Sequence, residues 1–142
     1  MPRYLLDTNV VSELIRRPIA PRVEQWMDGQ ADSDLYLASV TLGEMIRGAE
    51  RLPEGRHRQT LENWLTNVVL PRFKGRVLAF DRETATIWGR ILGEGDRQGR
   101  PRPIIDAQIS ATAIRHRLIL ATRNISDHGA MGAQVFNPWT GR

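Results

Sequence analysis

Short, continuous apolar runs alternate with helical stripes along this chain. Tyr4-Leu5-Leu6, Leu35-Tyr36-Leu37-Ala38, Arg76-Val77-Leu78-Ala79-Phe80, Leu118-Ile119-Leu120-Ala121 and Gln134-Val135-Phe136 read as strands, and brief unbroken apolar runs suit strands buried on both faces. Asp7-Thr8-Asn9 leads from the first strand into a helix over Val10 to Arg16 that stops before Pro18. A second helix is expected from Pro21 to Met27, with proline in its first turn and Gly29 past its end. Thr41 to Glu50 predicts a third, closed by Pro53 and Gly55. Leu61, Trp64, Leu65, Val68 and Val69 recur with helical spacing, and Pro71 is expected to end that helix. Ala85, Trp88, Ile91 and Leu92 form a stripe on a helix expected to fray at Gly95 and Gly99. Ile104 to His116 predicts a helix whose Ala107, Ala111 and Ala113 let it lie close to a sheet. Alternating strands and helices predict an α/β fold, a three-layer sandwich with a central parallel sheet. With no internal repeat or linker, residues 1–142 read as a single domain.

Composition narrows the chemistry. At 41% hydrophobic and 25% charged residues the chain lies in the soluble globular range. It has no cysteine, which excludes disulfides, thiolate zinc sites, Fe–S clusters and cysteine nucleophiles. No apolar run approaches the ~18 residues of a membrane span, and Met1-Pro2-Arg3-Tyr4 leads into a strand instead of a signal peptide, so the expected location is cytoplasmic and no membrane partner is expected. The net charge is +4, from 20 Lys+Arg against 16 Asp+Glu, and Lys74 is the only lysine. A compositional bias toward arginine accounts for most of this, yet arginine also meets phosphate bidentately where lysine offers a point charge.

The acids carry more information. In an open parallel sheet, chemistry collects beyond the carboxyl ends of the strands. Polar clusters follow three strands here: Asp7-Thr8-Asn9, Ser39 through Glu44, and Thr122-Arg123-Asn124; Asp106 opens the small-residue helix. Asp7, Glu44 and Asp106, with Asn124 or Asp127, are therefore expected to converge on one crevice. Each acid also has a purely structural reading. Asp7 is a good N-cap, Thr41-Leu42-Gly43-Glu44 scans as a capping box, Asp106 complements a helix dipole, and Asp127 suits an Asx-turn. Caps do not explain why the acids favour one edge of the sheet. Facing carboxylates repel one another unless a cation holds them, and oxygen donors with few histidines are what Mg²⁺ or Mn²⁺ prefers. His57, His116 and His128 lack metal-ligand spacing and read as surface or packing residues. No Walker or dinucleotide fingerprint and no Gly-x-Ser-x-Gly elbow occurs. Asp7-Thr8-Asn9 lacks the second acid of an aspartate-based phosphatase, and Lys74 precedes a strand where a phospho-receiver needs a lysine after one.

The motifs resemble those of a known family. Leu5-Leu6-Asp7-Thr8-Asn9-Val10-Val11-Ser12-Glu13 looks like the opening of a PIN domain, and Val40-Thr41-Leu42-Gly43-Glu44 resembles its second acidic motif. Ile105-Asp106-Ala107-Gln108-Ile109-Ser110-Ala111-Thr112-Ala113 resembles the third. Leu120-Ala121-Thr122-Arg123-Asn124 with Asn137-Pro138-Trp139 resembles the fourth motif and tail. The resemblance covers essentially the whole chain and is nearest to the VapC-type toxins of bacterial toxin–antitoxin pairs. It implies a Mg²⁺-dependent endoribonuclease, with Mn²⁺ a possible substitute. It also implies a homodimer within a toxin–antitoxin hetero-oligomer, blocked at its active site by a small antitoxin that alone contacts operator DNA. Asp7, Glu44 and Asp106 take the family's acidic positions. Asn124 stands where close relatives often carry Asp, Asp127 supplies an acid three residues on, and His128 replaces a common aromatic. Asp7 and Asp106 are the expected direct ligands, and Glu44 would bind a second metal or orient water. Thr8, Asn9, Thr122, Arg47 and Arg123 are the expected RNA contacts. Asn124 leaves open a rival reading, a scaffold with decayed catalysis.

Overall fold

In a computed structural model describing residues 1–142, the apolar runs form one all-parallel sheet. Its strands are β1 (Tyr4–Leu6), β2 (Leu35–Ala38), β3 (Val77–Leu78), β4 (Ile119–Ala121) and β5 (Val135–Phe136), in the order β3-β2-β1-β4-β5. Side chains alternate across a strand, and the burial follows. Tyr4, Leu6, Leu35 and Leu37 enter a core on one face with Val10, Val11, Met45 and Phe73. Leu5, Ala38 and Leu120 enter a second core on the other face with Ile109 and Ala113. Two cores separated by one sheet make the predicted three-layer α/β sandwich.

The helices are α1 (Thr8–Glu13), α2 (Pro21–Asp28), α3 (Ser39–Glu50), α4 (Arg56–Trp64), α5 (Leu70–Arg72), α6 (Arg82–Arg97), α7 (Ile104–His116) and α8 (Ile125–Ala130). None is long and apolar enough to cross a membrane. Helix α1 ends at Glu13, short of the predicted Arg16, because the buried Glu13 carboxylate turns to accept the Ala20 N–H at 2.9 Å and ties down the returning loop. The small residues of α7 are buried as expected, and the helix packs against both α6 and β4.

Other boundaries also differ from the sequence reading. Pro71 does not end the amphipathic helix: Leu65–Val69 widens into a π turn, closed by the Leu70 N–H on Leu65 O, and α5 follows directly through Pro71. Proline clashes with the carbonyl four residues back in regular α geometry, and the wider turn re-spaces those carbonyls. Nor does α6 fray at Gly95, which is buried inside the helix; a Cβ there would lie 2.7 Å from Arg100 O and 2.9 Å from Arg102 Cγ. The glycine is needed for the close return of the chain, whose Arg100 N–H bonds Gly95 O at 2.8 Å. The third strand shrinks to Val77–Leu78, since an edge strand has a partner on one side only and pairs here just with Leu37 and Ala38.

Candidate active site

Strands β1 and β4 lie side by side at the centre of the sheet, although the chain runs outward from β1 through β2 and β3 before returning to β4. That reversal of strand order opens a crevice at the carboxyl ends of the two strands. Asp7 follows β1 directly, and its N–H bonds Ala121 O at 2.9 Å; Thr122 follows β4. The Asp7 side chain is only 4% exposed. Its Oδ1 accepts the Thr8 N–H at 2.8 Å and its Oδ2 accepts the Thr122 hydroxyl at 2.7 Å. Asp7 is thus the N-cap of α1 and a carboxylate held at the crevice; the two readings coexist.

Thr122 corrects its assignment as an RNA contact. It is fully buried, gives its proton to Asp7 and accepts the Asn124 N–H at 3.0 Å. Its role is to hold the carboxylate. Thr8 is likewise engaged, donating to Glu44 Oε1 at 2.6 Å. This bond links Glu44 to the residue next to Asp7.

The capping box at Thr41 does not form. Helix α3 begins at Ser39, two residues early, with no side-chain cap, and Thr41 is buried within it. Glu44 therefore has no capping duty. In Glu44→Gln the amide oxygen still accepts from Thr8, so thermal melting should stay within the ~0.5 kcal/mol of a neutral surface change. RNA cleavage, by contrast, should fall at least about tenfold, the scale on which metal sites lose function when a supporting group is removed. Wild-type cleavage rates in the variant would take Glu44 out of the site.

Asp106 is the third residue of α7 and partly buried. Burial, the largest cause, raises its carboxyl above the ordinary carboxylate value; the His128 imidazole opposes this, and the charges of Asp7 and Asp127 add to it. Asp127 is the third residue of α8, so it makes no Asx-turn; it is exposed and within electrostatic reach of Asp106. Asn124 occupies the N-cap position of α8, exposed and without a side-chain cap bond.

His128 is expected at the surface or as packing; it is packed in the interior, and its ring also lies against Asp7. It is fully buried, with Nδ1 2.6 Å from Ser110 Oγ and Nε2 3.2 Å from Asp7 Oδ2. No local signal reveals this, because Asp7 and His128 stand at opposite ends of the chain. The one hint is that Ser110 lies four residues after Asp106, on the same helical face.

At the edge of the crevice, the Arg123 guanidinium sits 4.1 Å over the Trp139 ring, and its backbone N–H reaches Asn9 Oδ1 at 3.4 Å. Arg47 is exposed three residues after Glu44 and forms no ion pair. The structure thus brings Asp7, Thr8, Asn9, Asp106, Thr122, Arg123 and Asp127 to one end of the sheet, joins Glu44 through Thr8, and gives Asn124 and Arg47 no side-chain tie to the rest. No three carboxylate or imidazole groups come close enough to enclose a cation unaided. The donor set still suits a hard divalent ion: Mg²⁺ keeps several waters and binds through one or two carboxylates, and burial, with the nearby acids adding to it, disfavours an Asp106 charge that such an ion would offset.

The family model described as the PIN domain matches residues 4–126. Toxin FitB of Neisseria gonorrhoeae is 38% identical over 135 residues, covering 95% of this chain and 97% of FitB. VapC ribonuclease Y4jK of Sinorhizobium fredii is 36% identical, covering 95% of this chain and 96% of that protein. Among solved structures, FitAB bound to an IR36 DNA fragment superposes with a TM-score of 0.89 at 37% identity, over 96% of this chain and 95% of that one. The acids at the strand ends, the sheet order and these similarities agree: the chain belongs to the PIN-domain family, among its VapC-type toxins.

Proposed function

We propose that this PIN-domain ribonuclease toxin hydrolyses RNA phosphodiester bonds with Mg²⁺, or Mn²⁺ in its place, held by Asp7 and Asp106. The observation that carries the reading is Asp7, a buried carboxylate fixed through both oxygens by the Thr8 N–H and the Thr122 hydroxyl where the strand order reverses. A carboxylate-held divalent ion, when bound, makes water nucleophilic and stabilises the anionic transition state. The chain's own residues prepare for that. Thr122 and the Thr8 N–H hold the two oxygens of Asp7, Thr8 orients Glu44 toward the same crevice, and Asp127 adds a fourth negative charge. Arg123, stacked on Trp139, is placed to receive the RNA backbone, with Asn9 behind it and Arg47 free on the Glu44 helix. Arginine and aromatic surfaces of this kind suit single-stranded nucleic acid.

The same acids define the partner. A small antitoxin would neutralise the enzyme by placing a basic side chain among Asp7, Asp106 and Asp127, and the expected assembly is a homodimer within a toxin–antitoxin hetero-oligomer in the cytoplasm. The similarity to FitAB, a complex solved on a DNA fragment, supports operator contact through the antitoxin half. The test is RNA cleavage by the purified chain with Mg²⁺ or Mn²⁺, with and without chelator. Cleavage should stop in chelator and return with excess Mg²⁺. Undiminished cleavage in chelator would sink the metal mechanism, and no cleavage under any condition would favour the scaffold reading.

A further inference from the structure

Beneath Asp7 lies a buried pair, Ser110 and His128, that the reading above leaves unused; both side chains are fully buried. Nε2 of His128 lies 3.2 Å from Asp7 Oδ2, off the direction of a hydrogen bond, and has no other partner. A buried ring nitrogen lacking a partner is costly, and this one faces the acids. Which nitrogen carries the proton follows from the neighbours. Asp7 as a carboxylate only accepts, so a bare Nε2 lone pair against Oδ2 would be repulsive. The Ser110 hydroxyl, 2.6 Å from Nδ1, is able to donate to it, and a neutral ring so held carries its proton on Nε2, on the side of the carboxylate. Ser110 shares its helical face with Asp106, so the helix carrying one acid of the site also carries the group that sets the imidazole.

We infer that His128, oriented by Ser110, is a positioning residue of the divalent-cation site, its Nε2 edge steadying Asp7 Oδ2 electrostatically from the core side at 3.2 Å. The role rests on the reading that Asp7 and Asp106 hold a divalent cation. Thr122 by a hydrogen bond and His128 by electrostatic contact restrain one oxygen of Asp7 while the Thr8 N–H restrains the other, and a ligand that cannot rotate binds an ion at less entropic cost. Groups that support a metal ligand in this way are worth about 10- to 100-fold in metal affinity.

The experiment is Mn²⁺ binding to the intact, RNA-free protein by electron paramagnetic resonance or calorimetry, with melting curves in chelator alongside. Phenylalanine at 128 fills the ring's space with no donor, whereas glutamine places an N–H near the position of Nε2. His128→Phe should bind Mn²⁺ about 10- to 100-fold more weakly, and His128→Gln should recover most of the loss. Ser110→Ala, which removes only a hydroxyl, should weaken binding by a smaller factor. Unchanged affinity in His128→Phe, or equal losses with Phe and Gln, would overturn the positioning role. If His128→Phe does not fold, unchanged affinity in Ser110→Ala overturns it instead. Wild-type protein that binds no Mn²⁺ would overturn the metal reading and this role with it, whereas wild-type binding with intact variants overturns this role alone.

Discussion

The wild-type chain expressed without an antitoxin should slow growth, and Asp7→Asn should abolish both that effect and RNA cleavage while the protein stays folded. The variant keeps what the fold needs. Asparagine caps a helix as well as aspartate does, so the Thr8 N–H retains its acceptor. It loses what the proposed chemistry needs, because the amide adds no negative charge and turns an N–H toward the Thr122 hydroxyl, from which Oδ2 had accepted, and toward His128 Nε2 3.2 Å away. Loss of a direct ligand should exceed the ~100-fold cost of losing a supporting group. The measurement is specific activity of refolded protein together with its melting temperature. A variant that melts early yet regains wild-type specific activity on refolding would reduce Asp7 to a cap.

Asp106→Asn should also remove cleavage, with the opposite sign on stability. Burial and the nearby Asp7 and Asp127 raise the Asp106 carboxyl in the folded protein. Between the ordinary and the raised value the folded state holds a proton that the unfolded chain has released, so stability falls as pH rises through that window. At neutral pH the ionised group is a net cost to the metal-free fold. In chelator at pH 7, Asp106→Asn should therefore melt at the same temperature as wild type or higher, and the difference should vanish below the ordinary value of 3.8. Saturating Mg²⁺ should reverse the order, because only the wild type gains the stabilisation that comes from binding an ion to the folded state alone. A variant that melts well below wild type in chelator at pH 7 would show that the Asp106 charge supports the fold.

Fold class and element types can be read from the chain alone. Brief unbroken apolar runs at Tyr4–Leu6, Leu35–Ala38 and Ile119–Ala121, alternating with stripes such as Ala85, Trp88, Ile91 and Leu92, obey local periodicities. The acids were legible for the same reason, since Asp7 follows a strand directly and Asp106 opens a helix wherever those elements end up. The backbone geometry around Pro71 and Gly95, and the contacts between distant segments, emerge only in the folded chain. Pro71 passes through a helix because a π turn precedes it, and Gly95 stays helical because Arg100 and Arg102 return across it. Thr122 gives its hydroxyl to Asp7, Thr8 gives its own to Glu44, and His128 sits buried between Ser110 and Asp7. The contacts of Asp7 with Thr122 and His128 exist because β1 pairs with β4, and the Thr8–Glu44 bond because β1 pairs with β2 on its other side. Strand order is settled by which layers can bury their apolar faces together, and neither spacing nor composition within any one segment encodes it.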